Sequence, residues 1–264
     1  MHVHVLDSYR DRTSLIHRLD ARVKVLVTAL FIVATALTPD GAWPAFMLLL
    51  AVAMGVTVIS ELGIGFVQRR AVLVLPFALA AVAVVFSLPG RALLAFDLFR
   101  WHVTITDAGV ERFVSILLKS WLSVQMAVVL TASTPFPVLL RAMRGLHLPR
   151  VLVSIAGFAY RYVFVIGDEA LRMIRARTAR SGAPDGWGGG RVAWRARVAG
   201  GMVGSLFLRS IERGERIYDA MLARGYDGEV RTLGSPALRV EEGLLVGLFA
   251  LLMAAIQLLA RLTW

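Results

Sequence analysis

The apolar residues of this chain are concentrated in five long runs, and these runs restrict its fold more than any other feature. Hydrophobic residues make up 58% of the 264 residues, above the roughly 45–50% of soluble domains. A helix needs about 20 residues to cross the hydrocarbon core of a bilayer, and flanking residues can extend a slightly shorter run. We therefore predict an all-α polytopic membrane protein with about five transmembrane helices and additional long helices outside them. The predicted spans lie near residues 23–37, 43–60, 71–88, 113–132 and 242–259.

The charged residues predict the side of the membrane on which each segment lies. Residues 134–239 contain 17 arginines and 8 acidic residues, which supply most of the net charge of +11. Because basic segments stay on the cytoplasmic side, we expect this region and the N-terminus to be cytoplasmic, in a bacterial inner membrane, and the C-terminus to be external. No motif that reads a nucleic-acid groove accompanies the charge, so it does not indicate nucleic-acid binding.

Three parts follow from this pattern. Residues 1–133 hold a polar leader and the first four spans, residues 134–240 a cytoplasmic-side helical domain, and residues 241–264 the last span. The leader is too long and too acidic for a signal peptide. Within the middle part we predict long helices at about 150–180 and 191–224, with a glycine-rich linker at 182–190 between them. Residues 101–106 alternate at period two, which predicts a short extended piece outside the bilayer.

Each of the two long helices ends in a tripeptide of alanine, arginine and a small residue. Glycine is suited to the position just after a helix because it adopts the left-handed conformation without a Cβ clash. An arginine in the last turn complements the partial negative charge of the helix end and leaves its guanidinium available to a partner. Two such ends predict docking onto a partner that has two equivalent grooves. The candidate site residues are Ala179, Arg180, Ser181, Ala223, Arg224 and Gly225.

The sequence offers no catalytic or metal-binding constellation. The absence of cysteine excludes disulfides, cysteine-ligated zinc and thiol catalysis. No phosphate-binding loop, paired helix histidines or nucleophile with its base is present. His2 and His4 could chelate a transition metal, but a flexible terminal pair lacks the rigid ligand set that such metals need. We therefore expect no enzymatic activity, no cofactor and no metal site in this chain.

Lys119 lies within the predicted fourth span and has two interpretations. A lysine inside a span is by default a functional candidate. It is also close enough to the end of the span to extend its ammonium to the interface, and we favour this second interpretation.

Several blocks of the sequence resemble the transmembrane T component of energy-coupling factor transporters, in particular the cobalt/nickel type called CbiQ. The resemblance covers nearly the whole chain. It depends on residues 16–24 (IHRLDARVK), Arg161-Tyr162, residues 209–213 (RSIER) and residues 220–228 (AMLARGYDG). In that family, two Ala-Arg-small motifs end coupling helices that insert into grooves of two ATP-binding-cassette ATPase subunits. The matching residues here are Arg180 and Arg224, with serine in place of glycine in the first motif.

The resemblance implies a role in cobalt or nickel uptake, with several partners. These are two ATPase subunits (CbiO type), a substrate-binding membrane subunit (CbiM type) that holds the metal site, a small accessory membrane subunit (CbiN type) and the membrane lipid. ATP would close the ATPase dimer, and the coupling helices would transmit that motion to the substrate-binding subunit. One alternative is a T component that serves a vitamin such as biotin. An alternative of another class is an intramembrane lipid-modifying enzyme, which would need an acidic or histidine cluster near the interface.

Overall fold

A computed structural model describes residues 9–72, 75–87, 91–98, 101–181, 192–228 and 239–263. These residues are almost entirely helical, as the sequence predicts, apart from one two-stranded sheet. The helices are α1 (Leu15–Arg18), α2 (Ala21–Leu37), α3 (Trp43–Ile59), α4 (Ile64–Ala71), α5 (Leu75–Ser87), α6 (Asp107–Ser133), α7 (Phe136–Gly145), α8 (Arg150–Ser181), α9 (Val192–Leu222) and α10 (Val240–Thr263).

The chain forms two compact units. The bundle unit comprises residues 8–143 and 236–264, and the two-helix unit comprises residues 1–7 and 144–235. The bundle unit is thus assembled from two stretches of chain, with α10 joining the earlier helices. In the two-helix unit, the described residues are those of α8, α9 and the segments next to them.

The core of the bundle unit lies where α2, α3, α6 and α10 meet. Phe31, Leu49, Leu122 and Met126 are almost fully buried there. Polar side chains in this core bond to the backbone, as they must where no water is available. Thr35 Oγ1, for example, donates to the carbonyl of Phe31 at 2.8 Å. The Nε2 atom of Gln257 in α10 donates to the carbonyl of Ala34 in α2 at 2.6 Å, which joins the last helix to the first long one.

Three described helices are long and apolar enough to cross a membrane: Asp107–Ser133, Arg150–Arg180 and Val240–Leu262. Trp43–Ile59 is a shorter apolar helix. It has 17 residues, as does α2, and each is about 26 Å long, slightly less than a typical hydrocarbon core. Such helices span by local thinning of the bilayer or through their flanking residues.

The bounds of α8 agree with the helix predicted at about 150–180, but the helix is also a candidate span, whereas the sequence analysis placed no full span between residues 134 and 239. The helix continues without a break from Arg150 to Ser181. Charged residues are rare in its first half and frequent in its second half, beginning with Asp168 and Glu169. Because charged residues inside a membrane are expensive, we predict that only the first half of α8 enters the bilayer.

The predicted extended piece at residues 101–106 is confirmed as strand β2 (Trp101–Thr106), which pairs antiparallel with β1 (Ala92–Leu98). The hairpin leads directly into α6. Thr106 is the N-cap of that helix, and its side chain accepts a hydrogen bond from the Gly109 amide at 3.2 Å. This cap fixes the point where the strand ends and the helix begins.

The end of the leader lies against α4 and α6. The Arg10 amide donates to the carbonyl of Ala132 at 2.9 Å, and the Arg10 guanidinium lies 3.8 Å from the centroid of the Phe66 ring. His17 Nε2 is 3.0 Å from the carbonyl oxygen of Arg10. The described part of the leader is thus held at one end of the bundle unit.

Candidate functional site

The two Ala-Arg-small tripeptides lie at helix ends, as the sequence predicts. Ala179, Arg180 and Ser181 form the last turn of α8. The second tripeptide, residues 223–225, forms the turn that follows α9, whose last α-helical residue is Leu222. The predicted end near Arg224 is therefore two residues late, because Arg224 and Gly225 make tighter bonds to the carbonyls three residues earlier.

Gly225 ends α9 in a defined hydrogen-bonded motif. Its φ of +78° lies in the left-handed region, which a residue with a Cβ adopts only with strain. The Tyr226 amide donates to the carbonyl of Met221 at 3.0 Å, and the Gly225 amide donates to that of Leu222 at 2.9 Å. This pair of bonds is the Schellman motif, which satisfies carbonyls that a helix end would otherwise leave open. The backbone reason for glycine in the second tripeptide is thereby confirmed.

An aromatic contact connects this turn to α8. The Tyr226 ring meets the Phe158 ring edge-on, with centroids 6.4 Å apart and an interplanar angle of 78°. Aromatic pairs prefer this geometry. The second tripeptide is therefore positioned against the apolar half of α8 as well as by its own helix.

The arginines of the tripeptides have no side-chain partner among the described residues, as is also true of exposed arginines such as Arg175 and Arg213, and they differ from these in lying at helix ends. Arg180 and Arg224 are exposed, and within the described ranges neither side chain has a hydrogen bond or ion pair. The carboxylate of Glu169, by contrast, binds Arg172 on its own helix and Arg209 of α9, the latter at 3.0 Å. Arg180 and Arg224 are therefore available to a partner protein.

Glu169 is a residue that the sequence analysis missed. Glu212 and Arg216 of α9 lie four residues apart, a spacing that favours an ion pair on one helix. No such ion pair forms between these two described residues. Instead, Glu169 joins α8 to α9 across 40 positions of sequence, and its only local signal is Arg172 three residues later.

Two of the sequence blocks that carry the family resemblance meet between α8 and α9. One groove between these helices has a volume of about 470 Å³. It is lined by Tyr162 of the Arg161-Tyr162 block, by Arg209, Ser210 and Arg213 of the block at residues 209–213, and by Glu169. A second groove of about 630 Å³ between the same helices includes Arg180 in its lining. The conformation of this unit thus depends on contacts among these blocks.

Lys119 lies in the bundle unit and pairs with a residue of the turn between α2 and α3. Its Nζ donates to Asp40 Oδ1 at 2.7 Å, and Arg112 Nε lies 3.7 Å from the other oxygen of that carboxylate. Asp40 belongs to the turn between α2 and α3. Lys119 is thus paired with a carboxylate of a turn, and the extension of its ammonium to the interface stays a prediction.

The histidines that the structure describes do not form a metal site. Over the described ranges, no group of three or more histidine, aspartate and glutamate residues could hold a metal ion. His17 instead bonds to Ser14, with Nδ1 and Oγ 2.7 Å apart. His2 and His4 lie outside the described residues, so the expectation for them stays a prediction.

Comparison with known proteins supports the resemblance. A family model described as CbiQ, cobalt transport protein, matches residues 12–233. The cobalt transport protein CbiQ of Rhodobacter capsulatus is 29% identical over 181 residues, which cover 67% of this chain and 70% of that protein. The energy-coupling factor transporter transmembrane protein EcfT of Thermosediminibacter oceani is 26% identical over 269 residues, 98% of each chain.

A third relative is a fused protein. The putative fused cobalt transport protein CbiMQ of Methanocorpusculum labreanum is 28% identical over 235 residues, which cover 85% of this chain and 37% of that protein. The family match extends from the leader through both helix-end tripeptides, so it includes every part of the candidate site. This chain therefore belongs to the CbiQ family of cobalt transport proteins.

Proposed function

We propose that this chain is the transmembrane coupling component of an energy-coupling factor transporter for cobalt or nickel. The observation that carries the proposal is the pair of exposed arginines at the ends of α8 and α9, which have no side-chain partner in the part of the chain that the structure describes, in a chain of the CbiQ family. Proteins of this family are transport components, so ATP hydrolysis would belong to partner subunits. The family also favours a metal over a vitamin as the substrate and a transporter over a lipid-modifying enzyme.

Arg180 and Arg224 would each dock into one of two ATPase subunits of the CbiO type. A guanidinium binds carboxylates and carbonyls through a rigid planar fork, which suits it to a groove between folded elements. Both arginines lie at the negative end of a helix dipole, where a cation is favoured. The flanking Ala179 and Ala223 are exposed and small, so they would allow each helix end to enter a groove closely.

The ion pairs of Glu169 would make α8 and α9 respond together. Because one carboxylate binds arginines of both helices, a displacement of one helix end changes the position of the other. Closure of the ATPase dimer would thus move the two helices as a pair. The output would reach a substrate-binding membrane subunit of the CbiM type, and the fused CbiMQ relative is consistent with that partner. A small CbiN-type subunit would complete the assembly.

Charge reversal at the two helix ends tests this proposal. Arg180→Glu combined with Arg224→Glu should reduce metal uptake and ATPase co-purification by about tenfold or more, since a misplaced charge in an interface costs upwards of about 1.4 kcal/mol. The abundance of the chain in the membrane should not change, because both side chains are exposed. Arg180→Ala alone should be milder, since the second helix end still docks.

Arg175→Glu provides the matched control. Arg175 is another exposed arginine of α8, but it lies within the helix and not at its end. This variant should retain nearly normal uptake. If the double reversal left uptake and co-purification unchanged, or if Arg175→Glu impaired both equally, the docking role would be wrong.

A further inference from the structure

A cavity in the bundle unit has charged residues at one end and apolar residues at the other. It has a volume of about 540 Å³, within the range of about 300–1,000 Å³ that is typical of ligand pockets. Its charged end is formed by Lys24 at the start of α2 and by residues at the start of α10. The lining continues into the apolar body of the helices through Val27, Met126 and Phe249. This division matches an amphiphile better than a polar solute.

Lys24 is the feature of this cavity that requires an explanation. Lys24 is only 8% exposed to solvent. The ammonium donates to the carbonyls of His17 at 3.2 Å and Ser133 at 3.3 Å, which uses two of its three hydrogens. No carboxylate oxygen of the described residues lies within 4 Å of it. A buried cation is therefore left with one free donor and no direct counter-ion at the wall of an apolar cavity.

The other charges at this end do not neutralise Lys24. Both oxygens of Glu242 accept backbone amides, from Asp20 at 3.1 Å and from Arg239 at 3.2 Å. The side chains of Arg18 and Arg239 also line the cavity and are exposed, and neither has an ion pair with another described residue. The Asp20 carboxylate attracts Lys24 electrostatically but forms no ion pair with it and does not line the cavity. The lining itself therefore holds three cations and two carboxylates, one of which is already bound by amides.

We propose that this cavity binds one anionic glycerophospholipid, with an acyl chain along its apolar wall and its phosphate at Lys24, Arg18 and Arg239. The charge balance selects an anionic headgroup over a zwitterionic one. Basic pockets between transmembrane helices recognise anionic headgroups in this way. The lipid would complete the hydrogen bonding of Lys24 and fill space between α1, α2, α3, α6 and α10.

Native mass spectrometry of the full chain, with phosphatidylglycerol and phosphatidylcholine as probes, tests the headgroup preference. The wild-type chain should retain phosphatidylglycerol preferentially, and Lys24→Gln should reduce that retention about fivefold, the change expected for one basic contact. Lys119→Gln is the matched control, because Lys119 is the chain's other lysine and already pairs with Asp40. Equal retention of both lipids by the wild type would overturn the proposal.

A second variant covers the case in which Lys24→Gln fails to fold. The pair Arg18→Gln and Arg239→Gln changes only exposed side chains at the rim, and because two basic contacts are lost it should lower phosphatidylglycerol retention by about 25-fold. Normal retention by this pair would overturn the proposed headgroup position.

Crosslinking in the assembled transporter identifies the occupant. Because the chain has no cysteine, Val27→Cys can carry a single photoreactive label inside the cavity, and Met47→Cys on the exposed face of α3 is the control. We expect the label at position 27 to capture phosphatidylglycerol in excess of its share of the membrane. The control should capture both lipids in proportion to their supply. Capture of a partner subunit at position 27 would instead assign the cavity to a protein contact.

Discussion

Replacement of Gly225 by alanine should weaken the end of α9 by a predictable amount. The residue has a φ of +78°, and no atom lies within 4 Å of the place where a Cβ would be. The penalty therefore comes from the backbone alone, about 1–2 kcal/mol for an L-residue in the left-handed region. Such a penalty raises the opening equilibrium of the last turn about five- to thirtyfold.

Hydrogen exchange of the purified full chain measures this effect directly. The amides of Gly225 and Tyr226, which form the Schellman bonds, should exchange faster in Gly225→Ala by that factor. Gly225→Asn should be milder, because asparagine tolerates the left-handed conformation better than alanine. Gly201→Ala in the interior of α9, also with open space around it, should have the opposite sign and slow exchange, since alanine favours helix by up to about 1 kcal/mol.

The result that would refute this reasoning is unchanged exchange at both amides in Gly225→Ala. A different result would locate the role of the glycine elsewhere. If alanine and asparagine reduced metal uptake equally while the helix end stayed protected, the glycine would serve close approach of a partner and not the backbone conformation.

Three further predictions concern other parts of the chain. Reporter fusions at Gly189 and at the C-terminus should lie on opposite sides of the membrane, because the arginine-rich residues 134–239 favour the cytoplasm; reporters on the same side would contradict the five-span topology. Replacement of both His2 and His4 by alanine should leave uptake by the assembled transporter within about a factor of two, and a tenfold loss in apparent metal affinity would show that this chain takes part in metal capture. Glu242→Gln should lower the free energy of unfolding in detergent by about 1–3 kcal/mol, because one of two amide bonds to a carboxylate is lost. Glu241→Gln, an exposed neighbour, should change it by less than about 0.5 kcal/mol, and equal effects of the two would refute the role of Glu242.

Local chemistry made the helix ends predictable. Glycine at position 225 allows the left-handed backbone that ends a helix, and the observed φ agrees with that expectation. The apolar runs likewise predicted α2, α3, α6 and α10 to within a few residues, except for the start of α6, because membrane length limits where such helices begin and end. The strand at residues 101–106 was predictable from its own alternation.

Contacts between distant residues were not predictable from these signals. Glu169 could have paired with several arginines, and its selection of Arg209 depends on the packing of α8 against α9. The partner strand β1 has no clear alternation, so its pairing with β2 became visible only in three dimensions. The cavity beside Lys24 is formed by five separate helices, and a single sequence gives no measure of the space between them.

The division of the bundle unit between two stretches of chain has a consequence for its biosynthesis. The ribosome completes α2, α3 and α6 and then the whole two-helix unit before it produces α10. Until then, lipid or an insertion factor must cover the surface of α2 on which the Ala34 carbonyl later receives Gln257. The bundle therefore matures only after translation of the segment between its halves, and a ribosome that stalls within residues 144–235 leaves an unfinished bundle for membrane quality control.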